Sequence, residues 1–375
     1  MTSADRYLRA LRLARWLGPW SHAAPTAVVR ASLGLAAPEG LLLAALYEPT
    51  DAAATGALLV VPGLHPSGPD DVRLDRFCRV LAASGLLVLA PFVRRHLALV
   101  VAEDAALDVS LALRELARRA RARGLPRPGM LSISFGSLPA LRVAASPEHA
   151  GEVGGLIVFG GYRDFHATVR FALTGRADDE GRALALPHDP LNTPALFINL
   201  VPHLGVEGPR EMLIDAWHTM ACRTWGRPHL RPAEERRPIA VELAARLPST
   251  QRELFFVGCG LASGGEALLD EALARAGDAF AFADPTPALA ALEAPLLIAH
   301  GRDDDVIPWP EARKLAHGLR PGHRVKVALS GMFGHTGSTF PGLSAIRDEA
   351  GSLRALMLGL VDAPRDMLGR GGRSG

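Results

Sequence analysis

Short apolar runs alternate with amphipathic segments in two separate parts of the chain. In residues 40–160, runs such as Gly56–Val61 and 86–90 have the length of strands that are buried on both faces. Segments between them, such as 74–83, carry apolar residues at helical spacing. The alternation returns with the apolar run 295–300. Strands joined by helices of this length predict a mostly parallel sheet covered by helices on both faces.

The intervening region has a different pattern. Residues 162–292 show helical periodicity and many turns, but no convincing strand. The predicted helices there are 190–204, 209–222, 233–247 and 266–276. We therefore expect a helical insertion between two strands of the sheet. We favour the interpretation that this insertion is a lid over the carboxyl edge of the sheet; the alternative is an extension of the scaffold without a role at the site.

These patterns predict the division of the chain. Residues 1–39 are expected to form an N-terminal helical extension, and 40–161 together with 293–361 the core that contains the sheet. Residues 162–292 would be the helical lid insertion, and 362–375, rich in glycine and arginine, a flexible tail.

One serine lies in a pattern that carries chemistry. Residues 131–137 read Leu-Ser-Ile-Ser-Phe-Gly-Ser, between a predicted strand and a predicted helix. Small-x-Ser-x-Gly at such a junction is typical of a nucleophile elbow, in which a sharp turn exposes the hydroxyl of the serine. Ser134 is then the candidate nucleophile, and the backbone N–H of Phe135 is one candidate oxyanion donor. Ser132 stands where glycine is usual.

A candidate acid and a candidate base follow in the order Ser, Asp, His. The apolar run 295–300 is followed by three consecutive aspartates, Asp303, Asp304 and Asp305. His335 lies in a glycine-rich loop after the next predicted strand. An imidazole held by a carboxylate is the group that takes the proton of a serine hydroxyl.

These segments, in this order and each after a predicted strand, resemble those of the α/β-hydrolase superfamily. The acid of that family commonly sits in a His-Gly-x-x-Asp-x-x-Val/Ile-Pro loop, which selects Asp304 here, with Asp303 and Asp305 as alternatives. Asp164, after the predicted strand 155–159, is another position that some members use. The resemblance implies an α/β-hydrolase fold, with His335 as the base and Asp304 as the orienting acid.

The second oxyanion donor is expected in the loop after the Gly56–Val61 strand. That loop reads Pro-Gly-Leu-His-Pro and resembles the family's His-Gly-x loop, with Pro62 in place of the histidine. The resemblance implies that the backbone N–H of Leu64 is the donor. A plain Pro-Gly turn is the alternative.

The remaining histidines give weaker signals. His300 precedes the acid loop, where a structural role in packing of the strand end is expected. His65, His96, His166 and His203 either line a cleft or occupy solvated positions.

Composition narrows the classes of function. The 375 residues are 49% apolar, and 41 basic against 39 acidic residues leave a net charge of +2, so nucleic acid is not an expected partner. Cys78, Cys222 and Cys259 are widely spaced and odd in number, which suits a reducing compartment, the cytoplasm, rather than a disulfide framework. A small buried residue is a better reading of Cys259 than a catalytic thiol. No motif indicates a metal or another cofactor.

The N-terminus gives no membrane-spanning signal. Arginines interrupt any apolar core of a signal peptide, and no run of 18 apolar residues occurs in the chain. An amphipathic helix is expected at 5–17, which could contact a membrane surface peripherally, although docking on the core is favoured.

The resulting prediction is a serine hydrolase that cleaves an ester, thioester or similar small acyl compound. An acyltransferase with the same three residues is one alternative, and a non-catalytic module with a hydrolase-like fold is another.

Overall fold

The protein is built around a sheet whose inner strands are the apolar runs of the sequence. The computed structural model describes residues 3–17, 23–331 and 343–364. The strands in these residues are β1 (Val28–Ala37), β2 (Gly40–Pro49), β3 (Gly56–Val61), β4 (Leu86–Pro91), β5 (Gly129–Ile133), β6 (Leu156–Phe159), β7 (Arg176–Asp179), β8 (Arg182–Ala185), β9 (Leu296–Gly301) and β10 (Val325–Ser330).

Eight of these strands form one sheet in the order β1-β2-β4-β3-β5-β6-β9-β10. β2 runs antiparallel to both of its neighbours, and the pairs from β4 to β10 are parallel. With helices on both faces, this order is that of the α/β-hydrolase fold, and the predicted fold class is confirmed.

Helices separate most of the strands along the chain. They are α1 (Ser3–Leu17), α2 (Val72–Ala83), α3 (Arg94–Leu97), α4 (Ala105–Ala122), α5 (Ser137–Ala145), α6 (Phe165–Thr174), α7 (Thr193–Leu200), α8 (Arg210–Thr224), α9 (Ala233–Ala244), α10 (Ser249–Gly258), α11 (Gly265–Ala276), α12 (Thr286–Ala291), α13 (Pro310–His317) and α14 (Leu343–Asp362).

The two faces of the sheet are buried by different helices. α4, α5, α12 and α13 cover one face, and α1, α2 and α14 cover the other. Every residue of β3, β4 and β9 is therefore buried, which explains why their sequences are continuous apolar runs. α1 docks through Leu13, while Leu8 and Leu11 on its other side are exposed.

The region between β6 and β9 has an apolar core of its own. α6 to α11 contribute to it, with Phe197, Trp217 and Phe255 among its fully buried side chains. The indole N–H of Trp217 donates to the carbonyl of Phe255 at 3.1 Å, so the buried ring has its polar group satisfied. Helices that pack on one another in this way match the helical periodicity of this region.

Two of the predicted regions need correction. Residues 1–39 are not wholly a helical extension, because β1 pairs with β2 over its whole length, from Val28 opposite Pro49 to Ala37 opposite Gly40. Residues 162–292 are not wholly helical, because β7 and β8 form a hairpin there. Its central residues Glu180 and Gly181 both have positive φ, as a tight two-residue hairpin turn requires.

The predicted flexible tail begins too early at 362. Asp362 is the last residue of α14, where it forms an ion pair with Arg6, and Ala363 is fully buried. Residues 365–375 lie outside the described part of the chain.

Candidate active site

Ser134 lies at the junction between β5 and α5, in a backbone conformation that serine rarely adopts. Its φ is +53°, and only two other non-glycine residues of the described chain have a positive φ. A short 3-10 turn of residues 134–136 connects the strand to the helix. Such strain persists only where the surroundings impose it, and it occurs preferentially at functional sites.

The residues around Ser134 explain the motif sterically. A Cβ atom on Gly136 would lie 2.6 Å from the carbonyl oxygen of Pro62 and 2.8 Å from that of Val61, so no side chain fits where the turn passes the end of β3. Ser132 is fully buried, and its hydroxyl donates to the carbonyl of Ile157 in β6 at 3.3 Å. The serine that replaces the usual glycine is thus accommodated by a hydrogen bond.

The loop after β3 lies against the serine. A Cβ atom on Gly63 would come within 3.0 Å of the Cβ atom of Ser134. Leu64 in that loop and Phe135 after the serine line the same cavity as Ser134. The two predicted oxyanion donors therefore belong to segments that adjoin the serine from two sides.

The acid loop holds Asp304 by backbone hydrogen bonds. Its Oδ1 accepts the N–H groups of Val306 and Ile307, both at 2.9 Å. Its Oδ2 lies 3.6 Å from Nε2 of the buried His300, which donates to the carbonyl of Ile307 at 2.9 Å. His300 stabilises the acid loop, and the Asp304 carboxylate has a fixed orientation.

The alternative acids have other partners or other positions. The Asp305 carboxylate accepts from Arg231 at 2.6 Å, and Arg231 also donates to Asp189 at 2.9 Å. Asp164 caps α6, where its side chain accepts the N–H of Ala167 at 2.9 Å. Asp303 is half-buried in the same loop as Asp304.

The predicted base, His335, lies outside the described residues, as do all of residues 332–342. Its assignment therefore stays a prediction.

His65 is the one histidine among the described residues that line the cavity, and both of its nitrogens are engaged. Nδ1 accepts the N–H of Ser67 at 3.2 Å, which leaves the proton on Nε2, 3.4 Å from Oδ2 of Asp71. Burial lowers the pKa of His65, so the ring is neutral near pH 7. In this arrangement its imidazole has no free lone pair to take the proton of Ser134.

Three other histidines of the sequence analysis do not line the cavity. His166 and His203 pack against the ring of Phe280, with ring centroids 6.4 and 5.1 Å away. His96 is buried beneath the loop after β3.

A cavity of about 610 Å³ opens beside Ser134. Most of its wall is apolar, and both the core and the insertion contribute to it. From the insertion, the apolar wall includes Phe165, Val169, Ala172, Leu191, Ala195, Leu196 and Trp225. The volume is that of a site for a small molecule.

The charged side chains of the cavity wall largely neutralise one another. Arg231 pairs with Asp189 and Asp305, and Arg73 pairs with Asp71. The wall therefore presents few unpaired charges to an occupant of the cavity.

Among the described residues, neither Cys259 nor a group of metal ligands competes with Ser134 as a reactive centre. Burial raises the pKa of Cys259, which disfavours the thiolate that a nucleophile needs. Within the described residues, no group of three His, Cys, Asp or Glu side chains is arranged to hold a metal ion. None of the described helices is long and apolar enough to span a bilayer.

No protein-family model and no curated protein sequence matches this chain. Among solved structures it is similar to brefeldin A esterase, described as a bacterial homologue of human hormone-sensitive lipase, at 15% identity over 98% of this chain and 87% of that one, with a TM-score of 0.49. An esterase of Pyrobaculum calidifontis is 15% identical over 97% and 92% of the two chains, with a TM-score of 0.46.

An acylaminoacyl peptidase of Pyrococcus horikoshii is 12% identical over 88% of this chain, with a TM-score of 0.47. This chain spans only 40% of the length of that peptidase. The assignment of the fold rests on the strand order of the sheet described above.

Proposed function

We propose that this protein is a serine hydrolase that cleaves an ester, thioester or similar compound with an apolar acyl group. The observation that carries the proposal is the strained backbone of Ser134, at φ +53°, where the residue borders a cavity of about 610 Å³. A serine in a helix or strand would not need this conformation, and a structural serine would not need the cavity.

The proposed reaction has two steps. In the first, Oγ of Ser134 attacks the substrate carbonyl while His335 takes the hydroxyl proton and then gives it to the leaving alcohol or thiol. The N–H groups of Leu64 and Phe135 stabilise the negative oxygen of the tetrahedral intermediate. In the second step His335 takes a proton from water, whose oxygen attacks the acyl-enzyme, and then gives that proton to Oγ of Ser134 as the bond to the acyl group breaks and the carboxylic acid is released. Asp304 orients the imidazole throughout.

The lining of the cavity supports an apolar acyl group as the substrate class. Phe165, Val169 and Ala172 are spaced along one face of α6, and Ala195 and Leu196 of α7 add to the same wall. Transfer of an acyl chain from water to such a wall is favourable by about 0.8 kcal/mol for each CH2 group. We infer that the insertion is a lid that provides this wall.

The experiment is fluorophosphonate labelling of wild type, Ser134→Ala and Ser110→Ala, followed by mass spectrometry of the labelled peptide. Ser110 is the control because it is a buried serine of α4 whose hydroxyl lies 2.7 Å from Nε2 of His149. We expect labelling of wild type and of Ser110→Ala, at residue 134, and none of Ser134→Ala. Labelling that survives Ser134→Ala would refute the nucleophile assignment. No labelling of folded wild type would instead favour a binding module.

Esters of graded acyl length, each assayed with and without an alcohol acceptor, then test the reaction itself. Release of free acid that increases with apolar acyl length supports a hydrolase with this substrate class. Transfer to the acceptor without release of acid would replace it by an acyltransferase.

A further inference from the structure

The loop after β4 contains a second strained residue, and it lies fully buried. Leu99 has φ +60°. A left-handed conformation costs a residue with a Cβ atom about 1–2 kcal/mol, so neighbouring contacts must impose it. Within the loop, the N–H of Leu99 donates to the carbonyl of His96 at 3.1 Å and the N–H of Val100 to the carbonyl of Arg95 at 2.9 Å, so the turn closes the end of α3.

Side chains of the insertion add further hydrogen bonds to this turn. The side-chain oxygen of Asn199 in α7 accepts the N–H of Val101 at 2.8 Å, and its amide nitrogen donates to the carbonyl of Leu99 at 2.8 Å. One side chain thus bonds the backbone on both sides of residue 100. Nε2 of His218 in α8 adds a hydrogen bond to the carbonyl of Leu97 at 2.9 Å.

The beginning of the same loop bonds the segment that carries the proposed oxyanion donor. Nδ1 of His96 donates to the carbonyl of Pro62 at 2.9 Å, and the carbonyl of His96 accepts the N–H of His65 at 3.2 Å. A single residue therefore bonds the chain on either side of Gly63 and Leu64. Burial lowers the pKa of His96 to about 4, so the ring is neutral near pH 7 and keeps its proton on Nδ1.

We propose that His96 and Asn199 are positioning residues for the oxyanion loop. Asn199 fixes the strained turn, the turn places His96, and His96 holds Leu64 against the elbow of Ser134. The inference rests on the proposed function, because Leu64 is an oxyanion donor only if Ser134 is the nucleophile. The insertion would then be required for transition-state stabilisation as well as for covering the cavity.

Kinetics of two variants at residue 96 test the first link. Asparagine can offer an N–H group close to the place of Nδ1, whereas leucine of similar size offers none. We expect His96→Leu to lower kcat by about 100-fold, with KM changed by less than about 3-fold, because an oxyanion contact acts mainly in the transition state. His96→Asn should keep kcat within about 5-fold of wild type.

The second link is tested by Asn199→Leu against a matched control, Gln251→Leu. Gln251 is also a buried amide of the insertion, and its nitrogen donates to two backbone carbonyls, those of Glu207 and Pro209, away from the loop after β4. We expect Asn199→Leu to lower kcat by about 10-fold or more, and Gln251→Leu to lower it by less than 3-fold.

Hydrogen exchange at the amide of His65 gives a readout that needs no activity. If His96 and Asn199, which we call the clamp, hold the oxyanion loop, exchange at this amide accelerates by about 10-fold or more in His96→Leu and Asn199→Leu, but not in Gln251→Leu. Equal exchange in all variants, or an equal loss of kcat in Gln251→Leu, would overturn the proposal. If wild type takes no fluorophosphonate, the proposed function fails, yet the exchange measurement still decides whether the clamp holds the loop.

Discussion

Two serines of the described residues differ in their surroundings: Ser110 has a histidine and a carboxylate as hydrogen-bonded partners, and Ser134 borders a cavity. Oγ of Ser110 lies 2.7 Å from Nε2 of His149, whose Nδ1 lies 2.9 Å from Oε2 of Glu152. Ser134 has no such chain of partners within the described residues that line its cavity, since His65 is engaged elsewhere. By side-chain distances alone, Ser110 would be the better candidate.

The surroundings reverse that ranking. Ser110 lies inside α4, where helical hydrogen bonds already use the neighbouring N–H groups, so no oxyanion donors are available. Ser110 and His149 are both buried, and neither lines the cavity of about 610 Å³. Ser134 has the strained turn, the adjoining loop and the cavity. A nucleophile needs access and donors, and a hydrogen-bonded Ser-His-acid chain without them is a structural motif.

The largest expected effect is the difference in kcat between alanine substitutions of His335 and of His149. His335→Ala should lower kcat by about 10⁴-fold or more while the protein stays folded, because the base acts in both steps. His149→Ala should change kcat by less than about 3-fold and destabilise the fold by about 1–3 kcal/mol, since the buried hydroxyl of Ser110 loses its partner. Ester turnover and urea unfolding measure both. A collapse of turnover in His149→Ala alone would transfer the active site to Ser110.

Substitutions of the two candidate acids, Asp304 and Glu152, should differ in their effect on kcat by a slightly smaller factor. Asp304→Asn should lower kcat by up to about 10⁴-fold, because the imidazole loses the carboxylate that sets its tautomer. Glu152→Gln should leave turnover within about 3-fold of wild type. Asp305→Asn is the matched control in the same loop, and its carboxylate already pairs with Arg231. A large loss of kcat in Asp305→Asn with a small loss in Asp304→Asn would identify Asp305, and not Asp304, as the acid that orients the imidazole.

The parts of the fold that the sequence predicted are those with local signals. The sequence predicts β3 at the residues where it occurs, because a strand buried on both faces is an apolar run, and it predicts a helix directly after the serine motif, where α5 begins. β1 was missed because an edge strand that is exposed at many positions shows no such run, and its pairing with β2 stabilises it. The hairpin turn at Glu180 and Gly181 lacks the usual Asn-Gly or Asp-Gly signal.

The site, too, contains residues that a local motif indicates and contacts that no local pattern indicates. Ser134 was found from its motif, whose residues are neighbours in sequence. Asn199 and the backbone of Leu99 are 100 positions apart, and Arg231 is 74 positions from Asp305. Such contacts form only when the insertion packs on the core, so no spacing along the chain indicates them. His96 was a candidate for lining a cleft, but its hydrogen bond to Pro62 became visible only in the folded chain.

The smallest expected difference is in the pH dependence of stability. His96, beside the Ser134 site, and Glu152, beside Ser110, should lose their contributions in different pH ranges. Burial lowers the pKa of His96 from 6.5 to about 4, so its contribution is complete above pH 6.5 and is lost as the pH falls towards 4. That pKa difference corresponds to about 3 kcal/mol. The hydrogen bond from His149 lowers the pKa of Glu152 below 4.5, so its contribution is lost only under more acidic conditions.

Urea unfolding between pH 7 and pH 3.5 measures both contributions. His96→Asn should lose about 3 kcal/mol less than wild type between pH 6.5 and pH 4, whatever its stability at neutral pH. Glu152→Gln should run parallel to wild type down to about pH 4.5 and diverge from it only below. Burial also lowers the pKa of His65, His188 and His323, but these groups are present in every variant and cancel in the comparison. Parallel curves for His96→Asn and wild type would contradict the lowered pKa of His96 and mean that burial does not hold the ring neutral.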